Sequence, residues 1–219
     1  MQLSPETINL LSSFQKINNS IIIKPGDTIS TISNSKAVLA KAKLNQEFPG
    51  QLSIYDLSRF LSVVSLFDTP DFDIKEKAVT ISSGSKKLNY TFSDESLITV
   101  PPAKDIKFPD PDVTFELTNE QLSDVLKAQG VLRLPELAAV GDGKKVTFQA
   151  LDSKNPSADA FSIDVGKTTK KFKVIFKAEN IRLLSDDYTV HITSKGLSSW
   201  EGERVQYYVA IESNSTFEK

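Results

Sequence analysis

Val100-Pro101-Pro102-Ala103-Lys104-Asp105-Ile106-Lys107-Phe108-Pro109-Asp110-Pro111-Asp112 is the stretch on which the organisation of this 219-residue chain turns. Pro101, Pro102, Pro109 and Pro111 fix φ, remove backbone donors and push the residue before each of them toward extended backbone. The segment therefore reads as an extended connector, not a helix or a core strand. It separates residues 1–104 from residues 112–219, with 105–111 as the link, and either half is long enough to bury its own core.

Working outward, both sides of the connector start with a capped helix. Ser4 caps one over Pro5 to Ile17, with Pro5 where a missing N–H costs nothing and Glu6 at the positive end of the dipole. Ile8, Leu11, Phe14 and Ile17 form its apolar stripe, with Asn9, Ser12, Ser13 and Lys16 away from it. Beyond the connector, Thr118-Asn119-Glu120-Gln121 is a capping box opening a helix with Leu122, Val125 and Leu126 on one face and Ser123 and Lys127 on another.

Short strands follow in each half. In the first they fall at 21–24, 28–33 and 36–44, broken by Pro25-Gly26-Asp27 and Asn34-Ser35. A second helix over Asp56 to Phe67 puts Leu57, Phe60, Leu61, Val64 and Phe67 on a broad apolar face, with Ser58, Arg59, Ser62 and Ser65 opposite. Strands return at 72–75, 78–82 and 87–92. In the second half they are expected at 137–140, 145–151, 161–165 and 172–176, then a short helix over Glu179 to Leu184, then strands at 188–193 and 205–212. Leu3-Ser4 answers to Leu117-Thr118, Arg59-Phe60-Leu61 to Arg182-Leu183-Leu184, and Tyr90-Thr91-Phe92 to Tyr207-Tyr208-Val209. Three matches in the same order read as two copies of one plan. The fold class expected is α+β, each copy packing two helices on antiparallel sheet.

Composition narrows the chemistry. The chain is 39% hydrophobic and 25% charged, a globular balance, with 26 Lys plus Arg against 28 Asp plus Glu. A formal net charge of −2 argues against a generally basic nucleic-acid binder. Cysteine is absent, which removes disulfides, thiolate metal sites and cysteine nucleophiles and suits a reducing cytoplasm. Met1-Gln2-Leu3-Ser4-Pro5-Glu6 has no cationic start leading into an apolar run, so no secretory signal is expected. The most apolar stretch, Leu57 to Phe67, is interrupted by Ser58, Arg59, Ser62 and Ser65, so no membrane partner is expected.

No catalytic constellation emerges. Gly166-Lys167-Thr168 resembles the end of a phosphate loop, but Phe161 stands where the leading glycine belongs and a strand pattern follows instead of a helix, so a hairpin turn is the better reading. Gly141-Asp142-Gly143 between two alternating runs is likewise a hairpin turn. The single histidine, His191, lies in a strand pattern with no nucleophile or orienting acid at a telling distance. Asp71/Asp73, Asp110/Asp112 and Asp186/Asp187 lack the oxygen spacing and glycine of a calcium loop. No enzyme activity, metal or cofactor is expected. The cations are more telling by place: Lys16, Arg59, Lys127 and Arg182 each fall on or near the polar side of an expected helix, beside Ser12, Ser58, Ser62 and Ser123. Either these are solvated helix faces, or they form a lightly basic surface past which phosphates can move.

Three segments, LSPETINLLSSFQKIN, IYDLSRFLSVVSLF and YYVAIESNST, together with the IKFP run in the connector, resemble the DNA polymerase sliding clamps of T-even-type bacteriophages. The resemblance spans the whole chain. It implies a homotrimeric ring of six similar domains that encircles duplex DNA without sequence preference, helices toward the hole and sheets outside. It implies placement by an ATP-driven clamp loader, tethering of the replicative polymerase through a C-terminal peptide, and use by a late-transcription sigma-like factor and its coactivator in the cytoplasm of an infected bacterium. On this likeness the DNA-facing candidates are Lys16, Arg59, Lys127, Arg182, Ser12, Ser58, Ser62 and Ser123. Phe108, Tyr208 and Val209 are the candidates for a partner-peptide pocket, and Phe161 and Ile163 against Leu88 and Tyr90 for the joint between subunits. Two departures stand out: the helices carry fewer Lys and Arg than clamps often do, and Thr91-Phe92 follows Tyr90 where the family leads one to expect a bulkier aromatic. The rival expectation is a β-rich phage structural or assembly protein, which would need no cations on its helices.

Overall fold

The computed structural model describes residues 1–155 and 157–218. The backbone divides into two compact units, one over Met1–Lys104 and one beginning at Asp105.

Unit 1 opens with helix α1 (Pro5–Gln15), where the Ser4 hydroxyl accepts from the Thr7 N–H at 3.1 Å as an N-cap. Its buried face is Leu10, Leu11 and Phe14 together with Thr7 and Ser13. The expected stripe is thus shifted: Ile8 and Ile17 are only half-buried, and Ser13 points inward. Four strands follow, β1 (Ile21–Ile23), β2 (Gly26–Ile32), β3 (Val38–Phe48) and β4 (Leu52–Ile54), with β1 paired antiparallel to β4 and β2 to β3. Helix α2 (Leu57–Val64) is capped by the Asp56 carboxylate, which accepts from the Arg59 N–H at 2.9 Å. It buries Leu57, Phe60 and Val64. A meander closes the unit: β5 (Asp71–Ile74), β6 (Ala78–Ser83) and β7 (Lys86–Thr91), in that order in the sheet. Phe60 joins helix to meander, its ring 6.4 Å from Phe72 and 5.1 Å edge-on to Tyr90.

Unit 2 repeats the plan. Strand β8 (Val113–Leu117) leads into helix α3 (Asn119–Leu132), and both halves of the Thr118–Gln121 capping box are present. Strands β9 (Glu136–Asp142), β10 (Lys145–Leu151), β11 (Phe161–Lys167) and β12 (Lys171–Lys177) come next. As β1 pairs with β4, so β9 pairs with β12, and β10 sits between β9 and β11. The closing meander is β13 (Tyr188–Thr193), β14 (Leu197–Glu201) and β15 (Val205–Ala210), with β8 added beside β13. Its counterpart in unit 1 is a single bridge from Gln2 to Asp71. Strand β16 (Thr216–Phe217) pairs with the start of β12. Around Trp200 the core is aromatic, with Phe176 at 5.6 Å, Phe148 at 6.0 Å and Tyr188 at 6.3 Å, all edge-on.

The one break in the repeat is the second helix of unit 2. The expected helix over 179–184 does not form: a 3₁₀ turn covers Ala178–Asn180, and 181–184 are not helical. The Tyr207 hydroxyl accepts from the Leu184 N–H at 3.0 Å, and the Tyr188 hydroxyl donates to the Leu184 carbonyl at 2.6 Å. Both backbone groups a helix would use at Leu184 are thereby taken. The Gly166-Lys167-Thr168 segment is also not a hairpin, because β12 pairs with β9 and not with β11, so the chain crosses the β9–β10 tip. That tip, with Gly143 at φ +89°, is the hairpin expected from Gly141-Asp142-Gly143. Strands β4, β8, β14 and β16 were not foreseen from the sequence. Among the described residues no helix is long and apolar enough to cross a membrane.

Candidate nucleic-acid interface

In unit 1 the polar faces of two packed helices hold five of the eight candidates for facing DNA. Helices α1 and α2 are in direct contact, and Asn19, four residues past the end of α1, anchors the start of α2. Its side-chain amide donates to Asp56 at 3.1 Å, its Oδ1 accepts from the Ser58 N–H at 2.9 Å, and its carbonyl accepts from the Leu57 N–H at 2.7 Å. Asn19 thus caps α2 jointly with Asp56. These backbone and side-chain donors hold the Asp56 carboxyl below the usual aspartate range, the Arg59 N–H contributing most. Sequence reasoning missed Asn19; its only local signal is a polar residue two positions before the next strand.

With the helix fixed this way, Arg59, Ser58 and Ser62 are exposed on α2, and Lys16, the C-cap residue of α1, is exposed beside the half-buried Ser12. The serines are not free donors. The Ser12 hydroxyl donates to the Ile8 carbonyl at 2.8 Å and the Ser62 hydroxyl to the Ser58 carbonyl at 2.9 Å. A hydroxyl has one proton to give, so toward an outside group these two present lone pairs only.

In unit 2 the arrangement is sparser. Ser123 is half-buried on α3, and Lys127 is exposed but lies 3.6 Å from Asp124 one turn earlier. Arg182 departs from expectation. It follows the 3₁₀ turn instead of riding on a helix, and its Nε donates to the Glu179 carbonyl at 2.9 Å. The idea of one cation on each of four equivalent helices therefore fails at Arg182, for the tyrosine-bound geometry of residues 181–184 described above.

Of the pocket candidates, Phe108 and Tyr208 are half-buried and meet, ring centroids 6.3 Å apart and tilted by 35°. Val209 is corrected: it is 0% exposed, turned into the core of unit 2 by the alternation of β15, and has no surface to offer a peptide. The joint candidates fall on outer strands. β7 is the outer strand of its meander, with Leu88 and Tyr90 half-buried on one side. β11 is the outer strand next to β10, with Phe161 and Ile163 half-buried. Tyr90 is also a packing residue of its own unit, edge-on to Phe60, and burial pushes its phenol up. His191, on β13, meets the Thr114 hydroxyl at 3.0 Å from Nδ1.

Comparison with known proteins decides what this geometry belongs to. Residues 4–100 match the family described as DNA polymerase processivity factor, and residues 114–213 match that described as gp45 sliding clamp, C terminal. The sliding clamp of Vibrio phage KVP40 is 32% identical over 220 residues, 97% of this chain and 99% of its own length. The chain belongs to the family of T4-type phage sliding clamps. The sliding clamp of Enterobacteria phage T4 is 28% identical over 99% of both chains. Among solved structures, A. fulgidus PCNA with the C-terminal region of FEN-1 superposes with a TM-score of 0.68 at 11% identity, over 95% of this chain and 96% of that one. The Helicobacter pylori beta clamp bound to a DNA ligase peptide gives 0.73 at 13% identity, over 97% of this chain and 65% of that one. Those two likenesses carry the fold. The clamp is thus a DNA sliding clamp, a processivity factor working with DNA and a DNA polymerase. The rival reading as a structural or assembly protein is not favoured.

Proposed function

We propose that three copies of this clamp close head to tail into a ring around duplex DNA, without sequence preference. Edge strands β7 and β11 carry the reading. Each is an outer strand of its sheet within its unit, each alternates half-buried apolar with exposed polar side chains, and they lie in different units. Unpaired edges invite another chain, and two different edges on one chain make a heterologous contact that can close by rotation. Leu88 and Tyr90 of one subunit then face Phe161 and Ile163 of the next.

Arg59, Lys16 and Lys127, with Ser12, Ser58, Ser62 and Ser123, are the residues assigned to the duplex; Arg182 joins them from a loop. The serine hydroxyls support sliding over gripping, since Ser12 and Ser62 have already given their protons to their own helices. An ATP-driven loader places the ring, the replicative polymerase docks by its C-terminal peptide near Phe108 and Tyr208, and a late-transcription sigma-like factor and its coactivator use the same clamp. The setting is the cytoplasm of an infected bacterium. Solution mass by light scattering tests the ring: about 73 kDa, three times the 24.2 kDa chain, is expected. A monomer persisting at high concentration would remove encirclement.

A further inference from the structure

A cluster of lysines in unit 2 lies on none of the helices. In unit 2 the sheet order β11-β10-β9-β12 brings four strand ends to one end of the sheet. Lys145 of β10 stands directly across from Lys167 of β11, and Asp142 of β9 across from Lys171 of β12. The β9–β10 tip adds Lys144, and the segment that crosses over it adds Lys170. Residues 142–145 and 166–171 therefore hold five lysines and a single aspartate, in a chain whose formal net charge is −2.

The nearby carboxylates, Asp112, Asp142, Asp164 and Glu218, offset this charge in part, and their partners are the backbone and two of the five lysines. Asp142 accepts from the backbone N–H groups of Lys144 and Lys145, both at 2.8 Å, and Asp112 accepts from the Ser194 N–H at 2.6 Å. Both carboxyls are held below the usual aspartate range chiefly by these backbone bonds. Asp164 and Glu218 pair with Lys145 and Lys171. Lys144 and Lys167 have no acidic partner among the described residues, and the Lys170 ammonium donates only to the Asp112 carbonyl. A like-charge pair directly across a ladder, Lys145 against Lys167, costs stability, which Asp164 offsets at Lys145 while no acidic partner among the described residues does so at Lys167.

These lysines surround a hollow. A shallow cleft of about 720 Å³ lies between Asp112 and Thr114 on one side and Lys144, Lys167, Thr168 and Lys170 on the other. We propose that this cleft docks an acidic, extended segment of a partner protein, its carboxylates meeting Lys144, Lys167 and Lys170. Concavity decides against DNA as the occupant: the volume is that of a pocket for a small ligand. A strand of peptide fits it, whereas a duplex, whose major groove alone is about 12 Å wide, does not. Helix α3 also packs on the face of β10 and β11, while the lysines crown the end of the same sheet. The site shares β11 with the proposed joint only at the strand's last residue, Lys167, and uses neither Phe161 nor Ile163.

The full-length clamp and a fluorescein-labelled decapeptide of alternating Asp and Glu test this by anisotropy at about 50 mM salt, where charge pairs are weakly screened. The double variant K144E/K167E should weaken binding about tenfold or more, and the charge-matched control K24E/K77E, at two exposed lysines of unit 1, by less than about twofold. Equal losses from both variants would reduce the effect to net charge and overturn the proposal, as would no loss from the double variant. Backbone amide shifts in the wild-type clamp, which need no variant to fold, should move first at Gly143, Thr168 and Thr169 on adding the peptide. Shifts elsewhere overturn the site. An unlabelled duplex of about 30 base pairs that displaces the peptide more effectively than unlabelled peptide does would assign the cleft to nucleic acid and overturn it equally.

Discussion

At the residue scale, two hydroxyls decide more than any charge. Tyr188 and Tyr207 both bond to the backbone of Leu184. Replacing Tyr188 by Phe keeps the ring edge-on to Trp200 but leaves a partly buried carbonyl without its donor. A loss of about 1–3 kcal/mol in urea unfolding is expected. The surface pair Lys127–Asp124 predicts little by comparison, since an exposed pair one turn apart contributes about 0.3–0.5 kcal/mol. Asp56 makes a pH prediction. Its folded carboxyl is held low by the Arg59 N–H and Asn19, so its support for α2 is present above the unfolded aspartate range and is lost as pH falls through the lower folded value. Asp56→Asn should therefore flatten the acid limb of stability against pH and leave its neutral plateau shape unchanged, read by thermal melts across the acid range. Local chemistry of this kind was legible in sequence at Ser4 and Thr118, which cap as their residue types say they should. Asp56, read as the first residue of its helix, stands one position outside it as the cap. Arg182 was not, because the tyrosines that hold Leu184 lie 4 and 23 residues away from it in the chain.

At the scale of elements, the same contrast recurs. Strands β13 and β15 and the β9–β10 hairpin follow from alternation and turn chemistry, but the β14 between them holds Ser198 and Ser199, which no apolar count would place in a core. Ser198 bridges the Trp200 indole to the Val209 carbonyl, at 2.9 Å on each side, and the Ser199 hydroxyl accepts from the Gln206 side chain at 3.0 Å. Strand β8 hides behind the prolines of the connector, and its partner β13 lies more than 70 residues on. Alternation did mark Phe161 and Ile163 as one face of β11, yet it could not say that β11 would be an outer strand, since that depends on the order β11-β10-β9-β12. The edge assignment gives an element-level prediction. Ile163→Glu places a charge on the proposed joint face of β11 while its own unit keeps β9, β10 and β12 in place. The variant should remain folded by circular dichroism, and its light-scattering mass should fall from about 73 kDa toward the 24.2 kDa chain at low concentration. Retention of the full assembly would take β11 out of the joint.

At the scale of the whole molecule the puzzle is how a clamp with so little positive charge on its helices works on DNA at all. Helix α1 carries Glu6 and no cation within its span, α2 carries Arg59, and α3 carries Lys127 against Glu120 and Asp124. Each phosphate neutralised by a cation releases counterions and adds affinity, with a slope of about 0.9 per phosphate in log K against log salt. A protein held on DNA by topology has no use for a steep slope, because every phosphate contact is also a barrier to the next step along the duplex. The exposed Lys16, Arg59 and Lys127, in the role proposed for them, would meet that need beside Ser12 and Ser62, whose protons are already given to their own helices. It follows that the cations that are present should matter more than their number suggests. The double variant R59E/K127E, with its assembly mass unchanged, should shorten loader-dependent DNA synthesis on a primed circular template several-fold, and the loss should shrink as salt is raised through the screening range. Product length equal to that of the parent at every salt concentration would show that α2 and α3 turn other residues toward the duplex, and would move the search for DNA contacts to the loops.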